Sequence, residues 1–535
     1  MIDPSAIDQI FADFAKPGSA GSAVGVFLNG QFEYAAGYGL ADLEHEVLFT
    51  PQTVVNLGSM AKQFTAFLAA LLDDEGVLSL DDDIRFHLPE LHDFGHVITV
   101  RHLVHHLSGL RDTYPDLFVL GGWRMADVMT REDVLQLMVP QQELNYQPGE
   151  EFLYVNSGYA LLALIVERAS ATPFAELARQ RIFAPLGMTS TMVKDDYEAL
   201  IPGAAGSYYQ TDDGPWKRLV VTDSSVGPTN VWSTVEDLAH WDRNFLTGEV
   251  GGRALVERLM QPARLNDGTP VGYGFGLEVG PDRTDRGWNL IEHGGQHGGH
   301  CGSLLHFPDA KLSVVVLFNA FRWNTREYAI QVADLFLEDR SGATPDTVQP
   351  PVLEKTEVPD LSRFAGTYLN RARAVVRRVA AEGDHLTYDG FKLRAVEPGR
   401  FRFEIDPTVE LQFEGSGEQR TVTTVTAQGS YVYNLVPEPE TEVARMALLP
   451  GGYVSPELGV QWTIDRVGDQ LVVHRHRYPD TVLTPVFADG FTDDWAPVVG
   501  FPMSFLVIVQ RNTAGDITGF TVSGDRVRNL RFDRL

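Results

Sequence analysis

The chain has 535 residues, of which 44% are hydrophobic and 21% charged, which is the composition of a folded globular protein of two to four domains. A formal net charge of −29 disfavours nucleic acid and anionic membrane surfaces as partners. The single cysteine, Cys301, excludes an intrachain disulfide and fits a reducing compartment. The sequence opens without a basic, then apolar, export signal and has no apolar run long enough for a bilayer, so we expect a cytoplasmic location.

The first part of the chain predicts strands at its two ends and helices between them. Two β-rich runs, 23–28 and 32–36, flank Asn29-Gly30, which is the pattern of a tight hairpin. Residues 233–236 (Ser-Thr-Val-Glu) form a predicted capping box. Helices are predicted over 59–76, 101–110, 131–138, 158–168, 235–245 and 324–337, and strands over 288–292, 303–307 and 312–318. This order indicates an α+β domain, an antiparallel sheet flanked by helices, over residues 1–338.

Residues 339–360 are rich in Pro, Thr, Asp and Glu and are predicted to be a linker. Beyond them, short alternating runs and glycine-containing turns predict an all-β region. It is an internal repeat, because Gly366-Thr-Tyr recurs as Gly451-Gly-Tyr and Gly383-Asp-His-Leu recurs as Gly468-Asp-Gln-Leu at the same offset. The repeat length suits two antiparallel β-barrels, over 361–446 and 447–535.

Ser59-Met60-Ala61-Lys62 is the stretch with the clearest chemistry. Apolar residues recur after it at helical spacing as far as Gly76, so Ser59 is expected in the first turn with Lys62 one turn on, on the same face. A desolvated lysine amine there can take the hydroxyl proton of the serine and make it a nucleophile. The alternative is that Ser59 only caps a helix and Lys62 is a solvated surface lysine.

Tyr154-Val155-Asn156 comes just before a predicted helix and is expected in a loop that presents side chains. A tyrosine whose pKa is lowered by a nearby ammonium can act as a phenolate base and later as an acid toward the leaving group. Asn156 can hydrogen-bond a substrate amide. The alternative is a turn with a packed tyrosine and an Asx-type cap.

His293-Gly294-Gly295 ends a predicted strand, which puts His293 and Gly295 on one face. Glycine at 295 would let a substrate backbone approach closely, and the Gln296 N–H could join that of Ser59 in an oxyanion hole. A glycine-rich hairpin turn is one alternative. A metal site is another because of the nearby His297, His300 and His306, but no ligand set has recognised zinc spacing, so no metal is expected.

In chain order, these three motifs resemble the signature motifs of the serine β-lactamase and penicillin-binding-protein family. Histidine at the start of the third motif, where many members have lysine, resembles the esterase and D-aminopeptidase branch of the class C β-lactamase type. That branch includes chains with a catalytic domain followed by two β-barrels. The resemblance covers about residues 10–337 by motif, and the flanking stretches that agree with it are 39–42, 106–110, 148–149, 233–237 and 307–309.

The resemblance implies a serine hydrolase that forms an acyl-enzyme on Ser59, with Lys62 and Tyr154 sharing the proton transfers and Asn156 and His293 orienting the substrate. It implies no cofactor and a small-molecule or short-peptide substrate, chiefly a D-amino acid amide or peptide. A carboxylesterase, a D-Ala-D-Ala carboxypeptidase and a β-lactamase are the alternative enzymes. A penicillin-binding sensor is the alternative outside catalysis, and a homodimer is compatible with the sequence.

Two further features bear on substrate choice. Residues 227–230 (Gly-Pro-Thr-Asn) lack the acidic residue that the family often carries there, which puts recognition of a free substrate amine in question. In the second repeat the offset grows by about five residues near 474–480, and insertions fall in loops. This loop carries His476, Arg477 and Tyr478, so we expect it to reach back and gate the active site, as a loop of the last domain does in the resembling branch. The alternative is an exposed hairpin tip.

Overall fold

The structure is a computed structural model that describes residues 3–124, 126–211, 214–280, 288–322, 324–337, 360–404, 409–426, 429–437, 449–487, 489–498 and 501–535. All but the last residue of the linker predicted over 339–360 lies outside these ranges, and the predicted domain boundaries stay predictions. Of the helices in these ranges, none combines the length and apolarity needed to cross a bilayer.

A six-stranded antiparallel sheet joins the two ends of the first domain, as the sequence predicts. Its strand order is Glu278–Gly280, Leu290–His297, His300–Phe307, Leu312–Phe318, Ser22–Leu28 and Gln31–Tyr38. The hairpin at Asn29-Gly30 is confirmed, with both residues at positive φ. Shorter strand pieces outside this sheet are Leu40–Asp42, Val47–Leu48, Val55–Asn56, Met192–Val193, Tyr208–Tyr209, Lys217–Arg218, Val231–Ser233, Ala263–Arg264 and Pro270–Val271.

Helices cover the sheet and fill the middle of the domain. Those in the described ranges are Pro4–Ile10, Lys62–Asp74, Ile84–His87, Val100–Val104, Phe118–Leu120, Arg131–Met138, Asn156–Ser170, Phe174–Ala178, Ala184–Leu186, Val235–Thr247, Gly252–Leu259 and Thr325–Leu337. The helix over Lys62–Asp74 is buried along nearly all of its length and packs against the helix over Asn156–Ser170. This contact brings the first two motifs together.

Two local predictions were wrong. The helix predicted over 101–110 ends at Val104, because His106 adopts a left-handed φ of 59°. Its ring is stacked among aromatic side chains, and its Nδ1 accepts the Val155 N–H at 3.2 Å. The helix over Val235–Thr247 is capped by Thr234, whose side chain accepts from the Asp237 N–H, and not by Ser233.

The remaining described residues form two closed eight-stranded barrels, as predicted. The strands of the first are Gly366–Asn370, Val375–Glu382, His385–Tyr388, Phe391–Glu397, Arg400–Phe403, Glu410–Glu414, Thr421–Thr426 and Gly429–Val436. Those of the second are Gly451–Val454, Gln461–Val467, Gln470–His474, Thr481–Phe487, Gly490–Val498, Phe501–Arg511, Ile517–Ser523 and Leu530–Arg534. The predicted insertion is the connection over 475–480, which replaces the tight turn at 389–390 of the first barrel.

The two barrels pack differently on the first domain. The first barrel has an apolar core of its own, around Tyr368 and Leu411. The buried residues of the second barrel, such as Trp462 and Phe520, are continuous with the core that surrounds the helix over Lys62–Asp74. The second barrel therefore shares a continuous apolar core with the first domain.

Candidate active site

Ser59 lies in a short 3₁₀ turn, Gly58–Ala61, that leads directly into the helix over Lys62–Asp74. The Gly58 N–H donates to Asn56 Oδ1 at 2.9 Å, and Gly58 has a φ of 54°. A Cβ at position 58 would collide with the backbone of Gln296. Only glycine therefore lets the turn approach the strand over Leu290–His297, and this approach brings the backbone of Gln296 beside that of Ser59.

Lys62 is fully buried and surrounded by hydrogen-bonding oxygens. Its Nζ lies 3.1 Å from Ser59 Oγ, 2.8 Å from Asn156 Oδ1 and 3.2 Å from the Pro228 carbonyl oxygen. Burial lowers the pKa of the Lys62 ammonium well below its usual value. The prediction that Lys62 reaches Ser59 is therefore met in the structure, and the alternative of a solvated surface lysine is wrong.

Tyr154 borders the same space, with Lys62 Nζ 4.6 Å from its ring centroid. Burial raises the pKa of the Tyr154 phenol, and the hydrogen bond with Ser59 opposes only part of that rise. Desolvation outweighs the nearby charges, so the direction of this pKa shift does not favour the phenolate that the sequence predicts. The role of Tyr154 as an acid or a base stays a prediction.

Asn156 links the motifs to a buried carboxylate that the sequence did not single out. Its Nδ2 donates to the Tyr114 carbonyl at 2.9 Å and faces Asp112 Oδ2 at 3.4 Å, which turns Oδ1 toward Lys62. Asp112 Oδ1 accepts the N–H groups of Asn156 and Ser157 at 2.7 and 3.0 Å. Asp112 thus caps the helix over Asn156–Ser170 from outside it. Asn156 contacts Lys62, and its predicted hydrogen bond to a substrate amide stays a prediction.

The third motif lies within a strand rather than at its end. His293 Nε2 is 3.1 Å from the Tyr273 hydroxyl, and Nδ1 is 2.5 Å from the Gly294 carbonyl. Because a carbonyl can only accept, Nδ1 donates to Gly294, whereas either Nε2 or the Tyr273 hydroxyl can be the donor of the second contact. A Cβ at Gly295 would collide with the Leu57 carbonyl, so glycine is needed here for the close approach of the turn that carries Ser59. The predicted approach of a substrate backbone to Gly295 stays a prediction.

The three nearby histidines lie apart with separate partners. His297 Nε2 is 3.9 Å from Asp223, His300 Nδ1 faces the Asn56 N–H at 3.3 Å, and His306 Nδ1 is 2.8 Å from Asp242. Among the described residues, one group with metal-binding spacing occurs, at the surface residues Asp42, Glu44 and His45. It does not include any residue of the three motifs.

A cavity of about 1120 Å³ opens at Ser59, and residues of the first domain and of both barrels line it. The predicted site residues that line it are Ser59, Tyr154, Asn156, His293, Gly295 and Gln296. The first barrel adds a wall between Val376 and Phe391, and the second barrel adds Asp494, residues 503–505 and residues 524–526. Sequence reasoning missed both walls, because nothing in the local pattern of a β-barrel indicates which of its turns will face another domain.

The predicted gating loop is elsewhere. Arg477 forms an ion pair with Asp127, and the Tyr478 hydroxyl donates to the Trp123 carbonyl. Neither these residues nor His476 is among those that line the cavity. The loop packs on the flank of the first domain and does not reach the cavity as predicted; the parts of the second barrel that line the cavity are Asp494, residues 503–505 and the turn at 524–526.

Comparison with known proteins agrees with this arrangement. Residues 7–337 match the Beta-lactamase family. The chain is similar to a D-aminopeptidase of Gluconobacter oxydans, with 29% identity over 78% of this chain and 77% of that protein. It is also similar to a D-aminopeptidase of Brucella canis, with 26% identity over 96% of both chains.

Two solved structures share the fold. The octameric penicillin-binding protein homologue from Pyrococcus abyssi has a TM-score of 0.56 at 22% identity and matches 89% of this chain and 98% of its own. The D-amino acid amidase from Ochrobactrum anthropi has a TM-score of 0.53 at 22% identity and matches 63% and 99%. The family match spans more than half of the chain and contains all three motifs, so the protein belongs to the Beta-lactamase family.

Proposed function

We propose that the protein is a serine hydrolase that forms an acyl-enzyme on Ser59 and cleaves D-amino acid amides or short peptides. The observation that carries this proposal is the fully buried Lys62 amine at 3.1 Å from the Ser59 hydroxyl. The substrate class is supported by the similarity to two D-aminopeptidases and to the fold of a D-amino acid amidase.

The hydrogen-bond pattern around Lys62 favours a neutral amine as the base. A neutral amine has two N–H groups and one lone pair. Asn156 Oδ1 and the Pro228 carbonyl are acceptors that take the two N–H groups, so the lone pair faces Ser59. The Ser59 hydroxyl can then donate its proton to Lys62, which is the transfer a serine needs before it attacks a carbonyl.

The proposed reaction has two halves. In the first, Ser59 Oγ bonds to the substrate carbonyl carbon as its proton passes to Lys62, and the backbone N–H groups of Ser59 and Gln296 face the developing oxyanion. The neutral Tyr154 phenol donates a proton to the leaving amine as the C–N bond breaks, and it regains one from Lys62. In the second, water bonds to the acyl carbon as its proton passes to Lys62, the bond from that carbon to Ser59 Oγ breaks, and Lys62 returns the proton to Oγ.

Residues 227–230 hold the nucleophile region through their backbone and do not offer a carboxylate. The Gly227 carbonyl accepts from Thr65 at 2.8 Å, and Pro228 accepts from Lys62. Acidic side chains from other parts of the chain, among them Glu278 and Asp525, line the same cavity. The missing acidic residue therefore does not exclude a substrate with a free amine.

The test is a panel of D- and L-aminoacyl p-nitroanilides beside p-nitrophenyl esters, with mass spectrometry of the protein after a fluorophosphonate. We expect turnover of D-aminoacyl substrates and a single adduct on Ser59. Ser59→Ala should abolish both without changing the thermal unfolding midpoint by more than a few degrees, because it removes one half-buried hydroxyl. Turnover near the wild-type rate in Ser59→Ala would mean that another residue is the nucleophile.

The location and assembly of the protein stay predictions. A cytoplasmic homodimer is the sequence-based expectation, whereas the similar Pyrococcus abyssi protein is octameric. Light scattering on the purified protein and fractionation of the source cells would test the two points separately.

A further inference from the structure

A turn near the end of the second barrel is fixed into the first domain by several contacts. The Arg526 N–H donates to Asp116 Oδ2 at 3.0 Å, and its carbonyl accepts from the Asp112 N–H at 3.1 Å and from Asn145 Nδ2 at 2.9 Å. Arg528 is almost fully buried and pairs with Glu151 at 2.8 Å. Arg526 is therefore presented to the site by a backbone that cannot easily move.

The Arg526 side chain meets the nucleophile machinery at two points. Its Nη1 donates to Asp112 Oδ2 at 3.0 Å. Its guanidinium lies 5.2 Å from the centroid of the Tyr154 ring. Asp112 is fully buried, so without Arg526 its carboxylate would keep only the backbone and amide donors of the first domain.

We infer that Arg526 is a positioning residue of the hydrolytic site: by pairing with Asp112 it keeps the Asn156 amide, and through it the Lys62 amine, in the arrangement that accepts the Ser59 proton. The path is continuous, because Arg526 contacts Asp112, Asp112 contacts Asn156, and Asn156 contacts Lys62. This inference rests on the proposed function.

The charges around Lys62 predict the direction in which its pKa should shift when Arg526 is replaced. Asp112 favours the charged form of Lys62 and raises its pKa, whereas Arg526 lowers it. Loss of Arg526 also raises the pKa of Asp112, because Arg526 favours its charged form. Above that pKa the Asp112 charge is uncompensated, so the Lys62 pKa rises and the neutral base is lost at a higher pH than in the wild type. The titratable and charged groups facing Lys62, Asp112 and Arg526 are Tyr154, Tyr159, Asp116, Asp525, His106 and, through Tyr154 and His106, Glu278 and His293.

The experiment measures how fast a fluorophosphonate inactivates the full-length protein between about pH 5 and about pH 10. In Arg526→Met we expect the acid limb of the curve of inactivation rate against pH to move up by about one pH unit. Below that limb the inactivation rate should be about tenfold lower than in the wild type. Arg526→Lys should restore part of the shift, since an ammonium can still pair with Asp112. In Asp112→Asn combined with Arg526→Met, the limb should return toward the wild-type position, because the uncompensated charge is gone.

Arg528→Met is the matched control, because it removes a buried ion pair of the same turn without touching Asp112 or Tyr154. It should lower the thermal unfolding midpoint and leave the acid limb where it is. A folded Arg526→Met with a wild-type limb, or an equal shift in Arg528→Met, overturns the inference. If Arg526→Met does not fold, Arg526→Lys and the double variant decide. A wild-type protein that is not labelled on Ser59 contradicts the proposed function instead.

Discussion

Lys62 illustrates how one side chain can be costly to the fold and necessary to the proposed chemistry. An ammonium with no exposed surface loses its hydration, and the loss favours the neutral amine. Three oxygens, of Ser59, Asn156 and Pro228, lie within hydrogen-bonding distance of its Nζ. In the proposed mechanism the last two take the N–H groups of the neutral amine and leave its lone pair for the Ser59 proton. The burial that costs stability is thus the same property that makes a lysine a base near neutral pH.

Replacing Lys62 by methionine separates these two effects. We expect Lys62→Met to lose as much activity as Ser59→Ala, because members of one catalytic unit are not additive. The unfolding midpoint should stay near or above that of the wild type, since methionine fills the space without a buried polar group. Steady-state rates and thermal unfolding measure the two effects, and near-normal turnover in this variant would rule out Lys62 as the base.

At the level of elements, the turn over Gly58–Ala61, which carries Ser59, is in direct backbone contact with the strand over Leu290–His297. Glycine at 58 and 295 lets their backbones touch, and this contact sets the distance between Ser59 and the backbone of Gln296. A shift of a few tenths of an ångström in this contact would move both proposed oxyanion donors relative to each other. Such donors are effective only when they are held at the right distance beforehand.

Gly295→Ala tests this contact. The new Cβ meets the Leu57 carbonyl, so the turn must move, and we expect Ser59 labelling by a fluorophosphonate to fall by about a hundredfold while far-UV circular dichroism stays unchanged. Gly294→Ala is the matched control, because the nearest atoms to its Cβ are 3.8 Å away and it should keep far more of the labelling rate. Equal losses in the two variants would contradict a special role for the contact at 295.

Sequence patterns predicted the bounds of several helices and strands well, but they did not predict the contacts between distant parts of the chain. The helix over Arg131–Met138 and the strand over Leu312–Phe318 were predicted with their observed bounds, because period and punctuation are local signals. The helix predicted over 101–110 ended early, because aromatic packing held His106 in a left-handed conformation that propensity does not indicate. Sequence motifs identified Ser59, Lys62 and Tyr154 as candidate site residues. They could not indicate Arg526, the partner of Asp112, because it lies in the second barrel and is placed there by tertiary contacts.

At the scale of the whole molecule, the two barrels have unequal relations to the first domain. The second shares its core with the helix that follows Ser59, whereas the first keeps a separate core and meets the second through a small apolar cluster that includes Val376 and Leu506. The loop over 475–480 adds a second attachment, since Tyr478 packs with Phe118 and Met129. This loop is therefore expected to hold the second barrel in place rather than to select substrates.

Tyr478→Ala should lower the free energy of unfolding by about 2 kcal/mol, because it removes a half-buried ring from an apolar cluster. The preference between short and long D-aminoacyl substrates should not change. Chemical denaturation and the substrate panel measure the two outcomes, with His476→Ala, an exposed position in the same loop, as the control. A changed length preference at unchanged stability would return the loop to the gating role predicted from sequence.

The position of Arg526 along the chain has a consequence for the order in which the protein is made. Translation completes residues 7–337, with every family motif, long before residue 526 exists. Until that residue arrives, Asp112 has no guanidinium beside it and Lys62 is surrounded by a different set of charges. A nascent chain of this protein can thus carry an intact Ser59 motif before the proposed arrangement around Asp112 is complete.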